Sequence, residues 1–352
     1  MPVENLKTAT ISNSSQRIMA GGLVIGFCYW ASSVVITLLV SILLAYFLDP
    51  FVEWLERFRV PRAVGSLVVL MVVLSLLVGV GWLMWGLVDQ FTADWPKYRE
   101  PLKNIADAIE KKFQSFERGV SEITPPDRLS RTAVRVAEEH PVRSLLLRGF
   151  GALWDALLSI SFVPFLVFFM LAAKTDVWHA TMQLFPPGER TRVKNTLDDV
   201  STMLRSYIVG NFLVAGILAL VSWMFFLIIG LEYPLLTGSV SGILNLVPYF
   251  GVVLAWIPPL VIGLTKFTQL WQFMAIAAVL GFFHLMAINW LIPALVGKKV
   301  HLNALAVTIA LLFWGWLWGA LGFVLAIPIT ATMKVTCDHI DEWQPVGRWL
   351  GP

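Results

Sequence analysis

The chain has 352 residues, of which 57% are hydrophobic and only 14% are charged, and its formal net charge is +3. Soluble globular domains carry about 25% charged residues. This composition therefore excludes an ordinary soluble protein and predicts a chain with several membrane-spanning helices.

Long apolar stretches follow one another along the chain. A helix needs about 20 apolar residues to cross a bilayer. The stretches that meet this length are 18–48, 63–88, 149–173, 207–231, 235–264, 270–296 and 303–335. The first is too long for one comfortable crossing, and Gly21, Gly22, Gly26, Ser32 and Ser33 would let it form a tight two-helix hairpin. The sequence therefore predicts an all-α integral membrane protein with about eight transmembrane segments, some kinked or re-entrant, or with seven if 18–48 is one tilted helix.

The basic residues predict the orientation of these segments. With eight crossings, the two termini, 49–62, 174–206 and the loop at Lys266 share one side and hold thirteen Lys and Arg. The opposite side holds two, at Lys298 and Lys299, once the long segment 89–148 is set aside. Short cytoplasmic loops are rich in Lys and Arg, whereas long translocated segments count little. Both termini are therefore expected in the cytoplasm.

Segment 89–148 is predicted to be an extramembrane helical segment. Apolar residues recur there with a mean step of 3.5, at Leu102, Ile105, Ile109, Phe113, Phe116, Val120 and Ile123. That spacing is typical of a helix packed on the membrane, on a neighbouring helix or on another subunit. Acidic and basic residues alternate on its other faces, so no nucleic-acid partner is expected. The expected division is 1–88 for N-terminal membrane helices, 89–148 for this segment, and 149–352 for a transport region with a cytoplasmic amphipathic linker at 174–206.

The stretch NLVPYFGVVLAWIPP at 245–259 is apolar enough for lipid, yet it contains helix-breaking residues. Pro248 removes an amide donor and clashes with the carbonyl of Leu244. Asn245 can offer its amide there, and Gly251 permits a close backbone approach. Lipid tolerates a broken helix only inside protein or against a wet cavity. We therefore expect a kinked or re-entrant element that lines a solute pathway; the alternative is a proline kink that only shapes packing.

Uncharged polar side chains in the late spans could bind a neutral solute. The predicted pathway residues are Asn245, Pro248, Tyr249, Gly251, Asn211, His284 and Asn289. Asn211, His284 and Asn289 could instead form hydrogen bonds between helices. Ser239 and Ser241 belong to a small-residue pattern with Gly238 and Gly242 that favours close helix packing over binding.

Ionisable groups are scarce in these spans. Proton-coupled cation exchange usually needs an Asp or Glu within the membrane, but Glu232 lies at a helix edge and Asp155 is shallow. His284 could relay protons. The scarcity argues against a sodium/proton antiporter without excluding one.

Other function classes find little support in the sequence. There is no phosphate loop and no H-E-x-x-H motif, so neither an enzyme nor a bound cofactor or metal is expected. Cys28 and Cys337 are expected to be unpaired thiols. A passive membrane scaffold remains an alternative, and in such a protein water would not reach residues 245–251.

Five sequence blocks, in order, resemble the autoinducer-2 exporter family of bacterial inner-membrane proteins. They are LLAYFLDPFVEWLERFRVPRAVG (43–65), FFML (168–171), RSYIVGN (205–211), GILNLVPYFGVVLAWIPP (242–259) and the stretch from PALVGKK to TATMKV (293–335). The run LFWGWLWG is most similar to the branch that includes the enterobacterial exporter. One position departs from the family pattern, because Ile292 stands before Pro293 where relatives often have Glu. Asn289 is the nearest polar substitute.

The resemblance implies properties that the periodicity alone does not. It implies an eight-span fold and export, without ATP hydrolysis, of a small polar signal molecule, autoinducer-2, used in quorum sensing. It also implies assembly into homo-oligomers, with a pentamer as the expected size. Some relatives are described as sodium(lithium)/proton antiporters, so a cation remains the alternative solute.

Overall fold

The computed structural model describes residues 16, 19–121, 161–247, 250–296 and 302–351, and every regular element in these ranges is a helix. The helices are α1 Met19–Trp30, α2 Ser32–Glu56, α3 Arg62–Ser121, α4 Ser161–Ala172, α5 Lys174–Gln183, α6 Arg190–Ile228, α7 Pro234–Leu244, α8 Phe250–Gly263, α9 Leu270–Met286, α10 Ile292–Leu295, α11 Ala304–His339 and α12 Gln344–Leu350. A π-helix, Ala287–Leu291, joins α9 to α10. The predicted all-α class is confirmed.

Five helical runs among the described residues are long and apolar enough to cross a membrane, judged by length and composition. They are α2, α3, α6, the run Leu270–Leu295 and α11. The pair α4 and α5, bent by 70° at Ala173, would make a sixth. Three shorter apolar helices, α1, α7 and α8, complete the set. The number of crossings stays a prediction.

The chain forms two compact units, each built from separated stretches. The first unit contains Met1–Val73, Gly151–Val209 and Val296–Pro352. The second unit contains Leu74–Phe150 and Gly210–Leu295. The three-part division in chain order, with 89–148 outside the membrane, stays a prediction. Helix α3 runs without interruption from Arg62 to Ser121, so the helix itself does not end at residue 88.

The junction of α1 and α2 follows the single-helix alternative for 18–48. The amide of Ala31 donates to the carbonyl of Phe27, and the amide of Val35 donates to the carbonyl of Ala31. These bonds join residues four apart, as in a regular helix. The two helices therefore continue one another through Ala31, and no tight hairpin forms there.

Helix α11 is folded back on itself at Gly319. This residue has φ +62° and ψ −138°, a backbone conformation that only glycine adopts readily. Residues Ala310 and Ala326 lie in one buried cluster, and the indole nitrogen of Trp314 lies 3.2 Å from the hydroxyl of Thr330. In a straight helix, sixteen residues would span about 24 Å. The sequence predicted one span over 303–335, whereas the structure has two antiparallel arms.

The two arms of α11 meet closely near the turn. A Cβ added at Gly322 would lie 1.8 Å from the carbonyl oxygen of Trp314, and one added at Gly315 would lie 2.5 Å from the ring of Phe323. Helix α12, which follows the second arm, lies beside the start of the first arm, because the amide of Asn303 donates to the carbonyl of Leu350. The turn packs on α1 and α2, where the indole of Trp318 donates to the carbonyl of Cys28.

Helices α7 and α8 form a second hairpin, in the second unit. They pack against each other, and the chain that follows α8 returns to the start of α7. There, Lys266 Nζ donates to the carbonyls of Ile229 and Gly230, at 2.8 and 2.6 Å. The eight-crossing scheme counts 235–264 as one crossing, which puts its two ends, 232–234 and Lys266, on opposite sides of the membrane. That assignment is wrong, because 235–264 turns back instead of crossing.

Candidate solute pathway

The predicted break in 245–259 lies at the tip of the α7–α8 hairpin. Helix α7 ends at Leu244, and α8 begins at Phe250. Between them, the amide of Leu246 donates to the carbonyl of Ile243, and the amide of Val247 donates to that of Leu244. These bonds join residues three apart instead of four, so the regular α-helical hydrogen-bond pattern ends at Asn245. Pro248 and Tyr249 lie outside the described residues.

Gly251 makes the turn at the tip possible. A Cβ at this position would lie 1.9 Å from the carbonyl oxygen of Leu244 and 2.7 Å from its carbon. Real Cβ atoms do not approach backbone so closely, so any larger residue must move the two helices apart. The start of α8 therefore rests directly on the end of α7.

Helix α7 is too short to cross a membrane. It has 11 residues and is therefore about 16 Å long, roughly half of a 30 Å hydrocarbon core. If α7 starts at the membrane surface, its last residues place interrupted backbone near mid-depth. Lipid cannot satisfy such groups, so they must face protein or water.

Helix α7 packs on α6 through small residues. A Cβ at Gly238 would lie 2.6 Å from the backbone of Trp223, and one at Gly242 would lie 2.4 Å from the carbonyl oxygen of Ala215. On the same face, Ser241 is fully buried, and its hydroxyl lies 3.5 Å from that of Ser222. Ser239 is half-buried. The small-residue pattern at 238–242 therefore serves close helix packing.

His284 is a buried polar side chain on α9, with 1% of its surface exposed. Its Nδ1 lies 2.9 Å from the carbonyl oxygen of Leu280. A carbonyl can only accept, so Nδ1 carries the proton and Nε2 of the neutral ring is an acceptor. Nε2 has no hydrogen-bond partner among the described residues. The second unit thus holds a buried acceptor that a polar molecule could engage.

Trp256 on α8 presents the complementary group. Its indole nitrogen is also buried and without a partner in the described part of the chain, and an indole N–H can only donate. A Cβ at Gly281 would lie 3.6 Å from the indole edge. Gly281 is one helical turn before His284. Sequence reasoning missed Trp256, because a tryptophan in an apolar helix gives no signal of a missing partner.

The π-helix Ala287–Leu291 lies one turn beyond His284. The amide of Ile292 donates to the carbonyl of Ala287, five residues back. Pro293 explains the distortion, since it provides no amide and its ring crowds the carbonyl of Asn289. π-Turns of this kind are frequent at functional sites. Asn289 is exposed, and its side-chain amide donates to the carbonyl of Leu285.

The hairpin and the π-helix meet the same part of α6. Gly242 lies against Ala215 and Ala219, while Val214 and Leu218 cluster with Ala287 and with the partly buried side chains of Phe283, Leu291 and Ile292. Asn211, half-buried, lies one turn before Ala215 on this helix. The pathway role of Asn211, Asn245, Gly251, His284 and Asn289 stays a prediction.

Two carboxylates of the second unit, Asp94 on α3 and Glu232 in the loop before α7, accept hydrogen bonds from tyrosines. The hydroxyl of Tyr98 donates to Glu232, and that of Tyr233 donates to Asp94, each at 2.5 Å. The hydrogen bond to Asp94 raises the pKa of Tyr233 to about 12. Tyr233 also has a left-handed backbone, with φ +53°, which is uncommon outside glycine. Glu232, the one carboxylate that the sequence offered near 207–335, is thus engaged by Tyr98.

A charged cluster in the first unit was missed by sequence reasoning. Asp49 is buried and binds Arg62 at 2.7 Å and Lys174 at 2.5 Å. Glu53 binds Lys174 and Arg205, both at 3.3 Å, and Glu56 binds Arg62 at 2.8 Å. We call these six residues the charged cluster. Its acids recur on one face of α2, at 49, 53 and 56, which was the available signal.

Comparisons with known proteins agree with this architecture. The model of the AI-2E family transporter matches residues 19–342. YrrI of Bacillus subtilis (strain 168), whose name assigns it to transport, is 29% identical over 87% of this chain and 86% of its own length. The AI-2 transport protein TqsA of Escherichia coli (strain K12) is 26% identical over 97% of this chain and 96% of its own. The family match covers nearly the whole chain, and the all-helical architecture with two interrupted hairpins agrees with it. The protein therefore belongs to the AI-2E family of transporters.

Proposed function

We propose that this transporter exports a small, uncharged, hydroxylated solute of the autoinducer-2 kind across the bacterial inner membrane. The observation that supports this most is the interruption of the helix at the α7–α8 tip, which would lie near mid-depth if α7 starts at the membrane surface. Secondary transporters build their solute sites from such discontinuous helices. The name of the relative TqsA supports the choice of solute.

The polar groups of the second unit favour an uncharged solute. Asn245, Trp256 and His284 offer hydrogen-bond donors and acceptors, and none of them is a carboxylate. A hydroxyl group both donates and accepts, so it complements the His284 acceptor and the Trp256 donor. We therefore expect autoinducer-2 export to proceed without a cation bound at this site.

A sodium/proton antiporter is the second candidate, and the buried Nε2 of His284 is the observation that favours it. One observation argues against an antiporter: the acidic side chains of α2 are already paired with basic residues. Asp49, Glu53 and Glu56 each carry an ion pair with a basic residue. A carboxylate held by a cation makes a poor ligand for sodium.

Vesicles that contain the purified protein test both candidates. Autoinducer-2 and sodium fluxes are measured side by side, with and without an imposed pH gradient. We expect autoinducer-2 movement that Asn245→Leu abolishes while the variant protein stays inserted. Sodium movement that depends on the proton gradient and disappears in His284→Ala would favour the antiporter instead.

Thiol labelling tests whether water reaches the α7–α8 tip. We expect Asn245→Cys to react with small water-soluble thiol reagents in a chain whose Cys28 and Cys337 are replaced by alanine. Ile243→Cys is the matched control, because Ile243 is 63% exposed on the outer surface of α7 and faces an apolar environment in the membrane. Equal protection of both cysteines from both sides of the membrane would contradict a pathway at the tip and favour a passive scaffold.

The count of basic residues supports an orientation, and the family resemblance supports an assembly. From the count we infer that the linker 174–206 and the C-terminus lie in the cytoplasm. A cytoplasmic N-terminus stays a prediction, because α1 and α2 continue one another through Ala31. Contacts in the first unit support a common side for the linker and the C-terminus, because Arg192 binds Asp341 at 2.6 Å and His339 lies 3.2 Å from Asp199. A homo-oligomer, with a pentamer as the expected size, stays a prediction.

A further inference from the structure

A cavity of about 310 Å³ lies within the first unit, beside the charged cluster. It is bounded by the second half of α2, the end of α4, helix α5 and the first half of α6. Pockets for small organic molecules begin at about this size. The cavity is separate from the α7–α8 tip, which belongs to the second unit.

Polar groups on the cavity wall retain unused hydrogen-bonding capacity. The hydroxyls of Tyr46 and Ser201 lie 3.0 Å apart, so one donates to the other and one O–H remains for a third partner. Lys174 Nζ bonds to Asp49 and Glu53, which leaves one of its three N–H donors. Pro50 supplies no amide for the carbonyl of Tyr46, so that carbonyl loses its helical donor.

The charges beside the cavity balance. The charged cluster contains three acids and three bases, each in at least one ion pair. An added anion would approach Asp49 and Glu53, and an added cation would approach Arg62 and Lys174. Either would disturb an arrangement that is already paired, and an extra charge buried without its own partner is costly. A neutral ligand avoids this cost.

The remaining wall is apolar. Trp178 and aliphatic side chains such as Ile42 and Leu197 line it. Such a surface favours a hydrocarbon part of the ligand through burial of apolar area. We propose that this cavity binds a small neutral molecule with vicinal hydroxyl groups on a short hydrocarbon chain, the hydroxyls facing Tyr46, Ser201 and Lys174.

Cysteine protection tests the proposal with defined probes. Thr181 lines the cavity, and among the described residues its hydroxyl donates to the carbonyl of Val177 within α5, so Thr181→Cys leaves the other polar groups of the cavity intact. The variant also has Cys28 and Cys337 replaced by alanine. The rate at which the Thr181→Cys thiol reacts with N-ethylmaleimide is measured. The probes are 1,2-hexanediol, hexanoate and hexylammonium, which share a six-carbon chain and differ in charge.

We expect 1,2-hexanediol to slow labelling of Thr181→Cys at least fivefold, and the two charged probes to leave it unchanged. Thr196→Cys is the matched control, since its hydroxyl also bonds four residues back on a helix, to Arg192, away from the cavity. The diol should not protect it. In a protein that also carries Tyr46→Phe and Ser201→Ala, protection should need about tenfold more diol, because two hydrogen-bonding groups are lost.

Each opposite result overturns the proposal. A Thr181→Cys thiol that never reacts shows that the cavity is closed to small molecules. Equal protection by all three probes, or by none, removes selectivity for a neutral diol. Protection that survives Tyr46→Phe with Ser201→Ala shows that the apolar wall alone binds. Asn245→Leu should leave the labelling unchanged, so failure of the proposed export function would be recognised separately.

Discussion

The backbone at Gly251 rests on the carbonyl of Leu244, because a Cβ at Gly251 would lie 1.9 Å from that oxygen. The first turn of α8 and the last turn of α7 thus share one close contact. Substitution at this position tests whether the contact holds the tip together.

Gly251→Ala should lower the stability of the protein and impair export. The added methyl group must push two helices apart, and overpacking of this kind costs about 2 kcal/mol. Thermal unfolding in detergent and vesicle export measure the two effects. Gly216→Ala on α6 is the control, since nothing lies within 4 Å of a Cβ there. Similar losses in both variants would show that the contact at Gly251 is not specific.

Asp49→Asn should destabilise the first unit by about 2 kcal/mol, because it removes the charge of a buried acceptor from two charge-assisted hydrogen bonds, while Arg62 keeps Glu56 and Lys174 keeps Glu53. The side chain of Asp49 is only 7% exposed and faces both Arg62 and Lys174. The control is Asp341→Asn, whose side chain is 71% exposed in its pair with Arg192. Exposed pairs contribute about 1 kcal/mol or less. Equal melting temperatures of the two variants would argue against a stabilising role for the charged cluster.

His284→Leu should reduce export without lowering the melting temperature. Its Nε2 has no partner among the described residues, and its Nδ1 bonds to the carbonyl of Leu280, one turn back on the same helix. An apolar side chain of similar size should therefore cost little stability. A large fall in melting temperature would instead show that the bond to Leu280 stabilises the fold. Export at the normal rate would remove it from the pathway.

Tyr233 should titrate about two pH units above an ordinary tyrosine, since its pKa is raised to about 12 by the hydrogen bond to Asp94. The folded state holds this proton more tightly than the unfolded state. The stabilisation is therefore complete below pH 10 and is lost as the pH rises towards 12. Absorbance at the tyrosinate band, compared between the wild type and Tyr233→Phe, isolates this group. A difference spectrum with a midpoint near pH 10 would contradict the contact.

Cysteines at 310 and 326 should form a cross-link if α11 is a hairpin. Ala310 and Ala326 share one buried cluster, whereas a straight helix would separate them by about 24 Å. The matched pair is Asp199→Cys with Ala215→Cys, also sixteen residues apart, within α6. A short bifunctional thiol reagent should join the first pair only. Joining of neither pair would favour a straight α11.

Sequence reasoning found the helical class and the break at 245–251, because apolar length and proline chemistry are local properties. It missed the hairpin at Gly319, since the glycines 315 and 319 have the spacing of a packing motif and nothing local reveals a positive φ. The charged cluster was hidden for another reason. Asp49 and Lys174 are 125 positions apart, and only the packing of α2 against α5 brings them together.

The turn at Gly319 also has a consequence for how the protein is made. The arm from Ala304 to the turn has 15 residues and is about 22 Å long, shorter than the hydrocarbon thickness. By itself, this arm would leave the backbone groups at its C-terminal end without hydrogen-bond partners in the hydrocarbon core. The second arm, which ends at His339, must therefore be made before the first arm can settle in the bilayer. We expect the two arms to enter the membrane together, as one helical hairpin.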